Sequence, residues 1–172
     1  MQPDVDGIYR LTRETPFDFT VPNPKSIVVP HGVYVPFNAQ ATLWNKFGLP
    51  FLYLPCSVHG RVSDIYRSYF TEYIVHNEGS EKKLVFTKPY VVQDRNVHNY
   101  LADFNAEYPL YERAGALIEY LVQREYDHTS STVENLLSLY TDLYERGYVE
   151  ELDVMLMERW TGWILSAQKL HE

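Results

Sequence analysis

Seven polar residues crowd two short stretches of this chain. His59, Arg61, Ser63, Asp64 and Arg67 follow an apolar run that ends at Pro55, and Asn38 and Gln40 precede that run. Asn38 and Gln40 stand two apart, so on extended backbone they point to one side. Their amides carry both donors and acceptors and suit sugar hydroxyls; a satisfied turn asparagine is the alternative for Asn38. Asp64 and Arg67 stand three apart and share a helix face. A carboxylate, a guanidinium, an imidazole and a hydroxyl gathered where a strand meets a helix would form a ligand crevice, because loops and helix N-termini converge there. The plainer alternative has Asp64 only charging a first helical turn favourably, with Arg67 as its surface partner.

Two elements must position this set. Leu49 to Pro55 reads as a strand, being short and apolar. Val62, Ile65, Tyr66, Tyr69, Tyr73 and Ile74 recur at three- and four-residue steps, which predicts an amphipathic helix over Val62–His76. Gly79 stands at a plausible C-terminal position of that helix.

Composition limits the functions open to the chain. It has 172 residues, a 45% hydrophobic fraction and a 22% charged fraction, which suits a packed protein of one domain or a little more. A formal net charge of −8 argues against a general nucleic-acid binder, which needs clustered Lys and Arg. It leaves room for one local basic pocket. Cys56 is the single cysteine, so no internal disulfide and no cysteine-based zinc site can form, and its place after an apolar run reads as a small buried hydrophobe. His31 and His98 make no spaced pair that supports zinc. No apolar run approaches membrane-spanning length, and the polar, acidic N-terminus does not read as a secretory signal.

The remaining elements read in order. Asp4-Val-Asp-Gly-Ile-Tyr-Arg-Leu-Thr12 is a short helix or turn, with Asp4 as its cap; the Asp-Val-Asp triplet resembles a metal-binding Asp-x-Asp but lacks a preceding buried strand. Pro16, Pro22 and Pro24 mark an irregular loop. Ser26–Val29, Val33–Val35 and Lys83–Thr87 read as short strands, the last extended by Pro89–Val92 before a turn over Gln93–Asn96. Val97–Phe104 and Tyr111–Tyr126 read as two helices. Ser130 or Ser131 caps the next, with Glu134 as capping-box partner of Ser131, and it runs to Gly147. A last helix covers Val149–His171, with Leu152, Leu156, Trp160, Trp163 and Ile164 as its apolar stripe. The expected architecture is α/β: a thin mixed sheet in residues 1–95 and an all-helical layer in residues 96–172. Three or four short strands cannot easily bury both faces, so a piece of something larger is expected.

Three runs carry a family resemblance: Pro3–Thr12, Val29-Pro-His-Gly-Val-Tyr-Val-Pro-Phe-Asn-Ala-Gln-Ala-Thr-Leu-Trp44, and Leu54-Pro through Val58-His-Gly-Arg-Val-Ser-Asp-Ile-Tyr-Arg-Ser-Tyr69. They resemble the STELLO family of glycosyltransferase-like proteins, as do Gln93–Leu101 and the helices after it. More distantly, the Asp64-Ile-Tyr-Arg-Ser-Tyr69 helix start is similar to the reversibly glycosylated polypeptides, the UDP-arabinopyranose mutases. Both groups imply a GT-A-like nucleotide-diphospho-sugar fold, of which this chain would be the acceptor-side part followed by C-terminal helices.

The resemblance implies roles by position. Asp64 becomes a candidate general base for a sugar hydroxyl. His59 and Arg61 would meet phosphate or acceptor oxygens, the arginine suiting a bidentate grip, while Ser63, Arg67, Asn38 and Gln40 complete a substrate-binding set. Nothing in the sequence corresponds to the nucleotide-binding half, so sugar or glycan acceptor binding without autonomous catalysis is expected. No metal ligand is assigned in this chain; a divalent ion such as Mn²⁺ would belong to a complete protein. The implied partners are a nucleotide-sugar or glycan acceptor, and the implied location is the Golgi lumen, with any membrane anchor upstream. The alternative is a non-catalytic protein-interaction module of a Golgi assembly.

Overall fold

Helices dominate the structure, a computed structural model that describes residues 5–14, 25–79, 81–88, 91 and 97–169. The elements run α1 (Gly7–Thr12), β1 (Ile27–Val28), a 3₁₀ helix (Lys46–Leu52), α2 (Ser63–Asn77), β2 (Val85–Phe86), α3 (Tyr100–Gln123), α4 (Thr132–Glu145) and α5 (Glu151–Lys169). β1 and β2 pair antiparallel, Ile27 opposite Phe86 and Val28 opposite Val85, and all four residues are exposed. Among the described residues this pair is the only sheet. The mixed sheet of three or four strands is therefore corrected to a surface ribbon beside a helical body.

The hub is α2, close to where helical periodicity places it. Its apolar residues Tyr66, Tyr69, Phe70, Tyr73 and Ile74 are buried against Leu117 and Leu121 of α3, Leu136, Leu139, Tyr140 and Leu143 of α4, and Met157 of α5. One core thus joins residues on both sides of position 95. Truncating Leu139 or Leu143, both fully buried, to Ala would cost about 2–5 kcal/mol through lost contacts and a residual cavity. α2 is buried nearly all round, so its polar residues need internal partners. Ser68 and Thr71 donate back to the Ile65 and Arg67 carbonyls one turn earlier. Tyr73 donates to the Glu125 carbonyl and accepts from Arg124, whose guanidinium also grips Asp142 of α4 at 2.6 Å.

Local chemistry sets the element ends. Asp6 caps α1 by accepting from Tyr9 N, so the cap is Asp6 and not Asp4, which lies outside the described residues together with the Pro16, Pro22 and Pro24 loop and the Gln93–Asn96 turn. Ser131 and Glu134 form the expected capping box on α4. Gly79 follows the C-cap of α2 at φ +99°, and Gly147 follows α4 at φ +67°, conformations that glycine adopts without steric cost. Arg113 donates to the Arg146 and Gly147 carbonyls at that second turn, satisfying acceptors the helix end leaves open.

Four sequence expectations change. Leu49–Pro55 is no strand: Asn45 accepts from Gly48 N and starts a 3₁₀ helix through Pro50, and a Cβ on Gly48 would stand 2.5 Å from the Trp44 ring. Pro50 cannot donate to a ladder, and its carbonyl accepts from Trp160 Nε1, so the run docks on α5 with Pro50 and Phe51 buried while Leu49, Leu52 and Leu54 stay exposed. Val33–Val35 joins no sheet; Val35 N donates to Glu72 instead. Val97–Phe104 and Tyr111–Tyr126 merge into α3, which begins at its Asn99 cap and carries Pro109 within it. The stripe of α5 is rotated: Asp153, Met157, Thr161 and Ile164 are buried, while Leu152 is 50% and Trp163 69% exposed.

Candidate functional site

The segment between the 3₁₀ helix and α2 is fixed from beneath. Asp153, fully buried in the first turn of α5, accepts from Tyr53 Oη at 2.6 Å, Cys56 N at 2.7 Å, Ser57 N at 3.1 Å and the Ser57 hydroxyl. Cys56 itself is exposed, against expectation, although its backbone N–H donates to Asp153 and its sulfur stands beside the Tyr53 hydroxyl. This latch aims the next residues, Gly60 to Asp64, at α3.

A cleft of about 350 Å³ opens there between α1, α2 and α3, lined among others by Asn38, Gln40, Arg61, Asp64, Glu107 and Tyr111. Its volume falls at the lower end of ligand sites. Asn38, Gln40, Arg61 and Asp64 line this one cleft. Asp64 Oδ2 accepts from Ala39 N at 2.8 Å and so holds the Asn38–Gln40 turn against α2.

Arg61 is spent on protein carboxylates. It meets Asp103 at 3.1 Å and Glu107 through Nε at 2.9 Å. Glu107 also accepts from Gly7 N at 2.7 Å and from the Tyr111 hydroxyl. Burial raises the Glu107 pKa, but Tyr111, Gly7 N–H and Arg61 together outweigh it, and the carboxyl ends below its ordinary value. Burial first, and the Glu107 carboxylate second, hold the Tyr111 hydroxyl in its protonated, donating form. Asp103 contacts His98 Nδ1 at 3.1 Å.

Three expected site residues stand elsewhere. His59 is exposed, and its Nδ1 accepts from Arg61 N. Ser63 is buried and donates to the Pro55 carbonyl. Arg67 is not the surface partner of Asp64: it is 4% exposed, stacked between Trp44 at 5.0 Å and Phe37 at 5.7 Å. Asp103, Glu107 and Tyr111 went unseen because α3 was read as two helices. On one continuous helix they fall at i, i+4 and i+8, one polar stripe.

The cleft is acidic. Among its lining residues Asp6, Asp64 and Glu107 outnumber Arg61, whose charge Glu107 and, behind the lining, Asp103 already balance. Among the described residues no group of three or more His, Cys, Asp or Glu could hold a metal ion, and Arg61 occupies the space between Asp103 and Glu107. No helix among them is long and apolar enough to cross a membrane.

Comparison with known proteins adds an independent line. Over 164 residues the chain is 33% identical to "Probable glycosyltransferase STELLO2" and 29% identical to "Probable glycosyltransferase STELLO1", both of Arabidopsis thaliana. Each alignment covers 92% of this chain and 20% of the relative, so the chain spans about a fifth of the curated relatives it matches. No solved structure matches it. The model of the STELLO glycosyltransferases matches residues 61–165, more than half of the chain, from Arg61 into the last turns of α5, and the chain therefore belongs to that family.

Proposed function

We propose that this chain is an acceptor-handling portion of a glycosyltransferase-like protein, and that the cleft between α1, α2 and α3 takes a neutral sugar or glycan acceptor. The observation that carries the reading is the meeting of Asn38, Gln40 and Asp64 over an acidic floor fixed by Arg61. Amide and carboxylate groups pair with hydroxyls in both directions, and Tyr111 adds an aromatic wall with a polar tip. Asp64 Oδ1 has no partner among the described residues and is the candidate base for an acceptor hydroxyl. Arg61 positions the floor and does not grip phosphate. Transfer would require a nucleotide-sugar site, with its divalent metal, in a longer protein, and the family resemblance supports a GT-A-like setting and a Golgi location.

The test is amide NMR of the 172-residue chain titrated with a panel of neutral oligosaccharides. Shifts at Asn38, Gln40 and Asp64, lost in Gln40→Ala, support the reading. Unmoved signals throughout the panel at millimolar concentration overturn it.

One observation favours a second reading, a protein-interaction module. Leu152, Met155 and Trp163 lie on one exposed side of α5, and exposed apolar patches mark docking surfaces. Partner capture lost in Trp163→Ala but kept in Asp64→Asn would select this reading.

A further inference from the structure

At the opposite end of α2 lies a second groove, of about 620 Å³, formed by the His31 turn, the end of α2, the segment leading to β2 and the loop before α4. Asp64 and His76 are twelve residues apart on α2, about 18 Å along the axis, so this groove is separate from the cleft. His31, His76, His128, Lys82 and Lys83 line it, and among the described residues no carboxylate does. In a chain of net charge −8 that concentration is a local reversal of sign.

The imidazoles are oriented. His31 Nε2 donates to the His76 carbonyl at 2.7 Å, and His76 Nε2 donates to the Val33 carbonyl at 3.1 Å. Each ring therefore spends its Nε2 proton on backbone and leaves Nδ1 without a partner among the described residues. A neutral Nδ1 is an acceptor; a protonated one donates to an anion. The carboxyl end of α2 would repel an anion, but its carbonyls are taken: Tyr73 O by Asn77, Ile74 O by Glu78 N and His76 O by His31.

The acids nearby are committed elsewhere. Glu78 is held by Lys82 at 2.7 Å, Tyr126 and Thr132, which leaves Lys83 as the freer ammonium. Asp127 is held by Thr129 and Ser130. Glu72, one turn before His76, is buried and accepts from Val35 N. Glu81 is exposed and outside the lining. Burial, opposed by the Val33 hydrogen bond and aided by His31, holds His76 below its usual pKa.

We propose that this groove binds a tetrahedral oxyanion, the phosphate or sulfate group of an ester, with an imidazole taking up a proton as the anion enters. Two closely placed rings, at 5.3 Å between centroids, repel each other when both are charged and are relieved by an anion between them and Lys83, a phosphate monoester bringing up to two negative charges and a sulfate ester one.

The experiment is a titration of the 172-residue chain with sulfate, a dianion that does not itself titrate in this range, followed by histidine side-chain ¹H–¹⁵N NMR at fixed ionic strength. Proton uptake on binding makes the complex tighter at pH 6 than at pH 8, by up to tenfold per pH unit for one proton, with the His31, His76 and His128 signals moving together. Lys83→Gln, an exposed substitution that leaves the fold intact, weakens binding about threefold or more by removing one rim charge. Glucose 6-phosphate and glucose 6-sulfate then assign the ester, the tighter arm naming it. Histidine signals that stay still at pH 6, or affinity equal at both pH values, or equal in Lys83→Gln, overturn the site and leave the cleft reading untouched.

Discussion

Arg61 donates to Glu107 through two nitrogens while Glu107 receives Gly7 N–H on its other oxygen. One carboxylate thereby ties α1, the start of α2 and α3 together. The floor of the cleft is consequently part of the fold, and the proposed acceptor contacts fall to Asp64, Asn38 and Gln40 at the rim.

Glu107→Gln leaves Arg61 with only Asp103 and breaks a buried charge pair, which should cost about 3 kcal/mol in urea unfolding. The pH dependence follows from the depressed Glu107 pKa. The unfolded chain binds the proton more readily than the folded one, so the stabilisation is present above the ordinary carboxylate pKa and is lost as pH falls through the folded value. Unfolding midpoints between pH 3 and 7 should fall on the acid side in the parent and flatten in Glu107→Gln; parallel curves would show that Glu107 is not charged in the folded state.

Asp153→Ala removes the acceptor of four hydrogen bonds from Tyr53, Cys56 and Ser57. Two part-buried backbone N–H groups and two hydroxyls lose their partner, so a loss of about 3 kcal/mol is expected. Because the same latch aims Gly60–Asp64, Asp153→Ala should also broaden the amide signals of those residues. A loss under about 1 kcal/mol, the level of ordinary surface changes, would mean the segment is held by other contacts.

Much of this was legible in the sequence, and the misses have physical causes. The spacing of Tyr66, Tyr69, Tyr73 and Ile74 gave α2, and Ser131 with Glu134 marked the start of α4. Periodicity cannot separate a buried strand from a buried turn in a run as short as Leu49–Pro55; Asn45 and Pro50 were the discriminating residues. Pro109 reads as a helix break, yet α3 continues through it, which hid the Asp103–Glu107–Tyr111 stripe. Arg67 was misplaced because helix spacing says which residues share a face, not whether that face meets water.

Glu72 gives a test with the opposite sign. It is 1% exposed, and burial, only partly offset by the Val35 hydrogen bond, raises its pKa to about 8. The folded chain then binds the proton more readily, so its favourable contribution is full below the unfolded carboxyl pKa and is lost as pH rises through about 8. Glu72→Gln keeps an acceptor for Val35 N–H and cannot ionise. It should be nearly neutral at pH 5 and stabilising by several kcal/mol at pH 9. Equal stability of the two proteins at pH 9 would show that Glu72 finds water when it ionises.

Arg67 and Asp64 separate a structural residue from a proposed ligand residue on the same helix. Arg67 Nε and Nη2 are buried without a partner, and burial lowers its pKa against the pull of Asp64. An isolated buried charge is costly, and an apolar residue of similar length often replaces one without loss. Arg67→Met should therefore fold with stability within about 1 kcal/mol of the parent, the usual cost of a volume-conserving core swap, and keep any oligosaccharide shifts at the cleft. Asp64→Asn retains an acceptor for Ala39 N and should also fold, but should lose the shifts that depend on a carboxylate at the rim. If instead Arg67→Met abolished the shifts while Asp64→Asn preserved them, the guanidinium would be reaching the ligand through Trp44 and Phe37, and the assignment of the rim would have to be reversed.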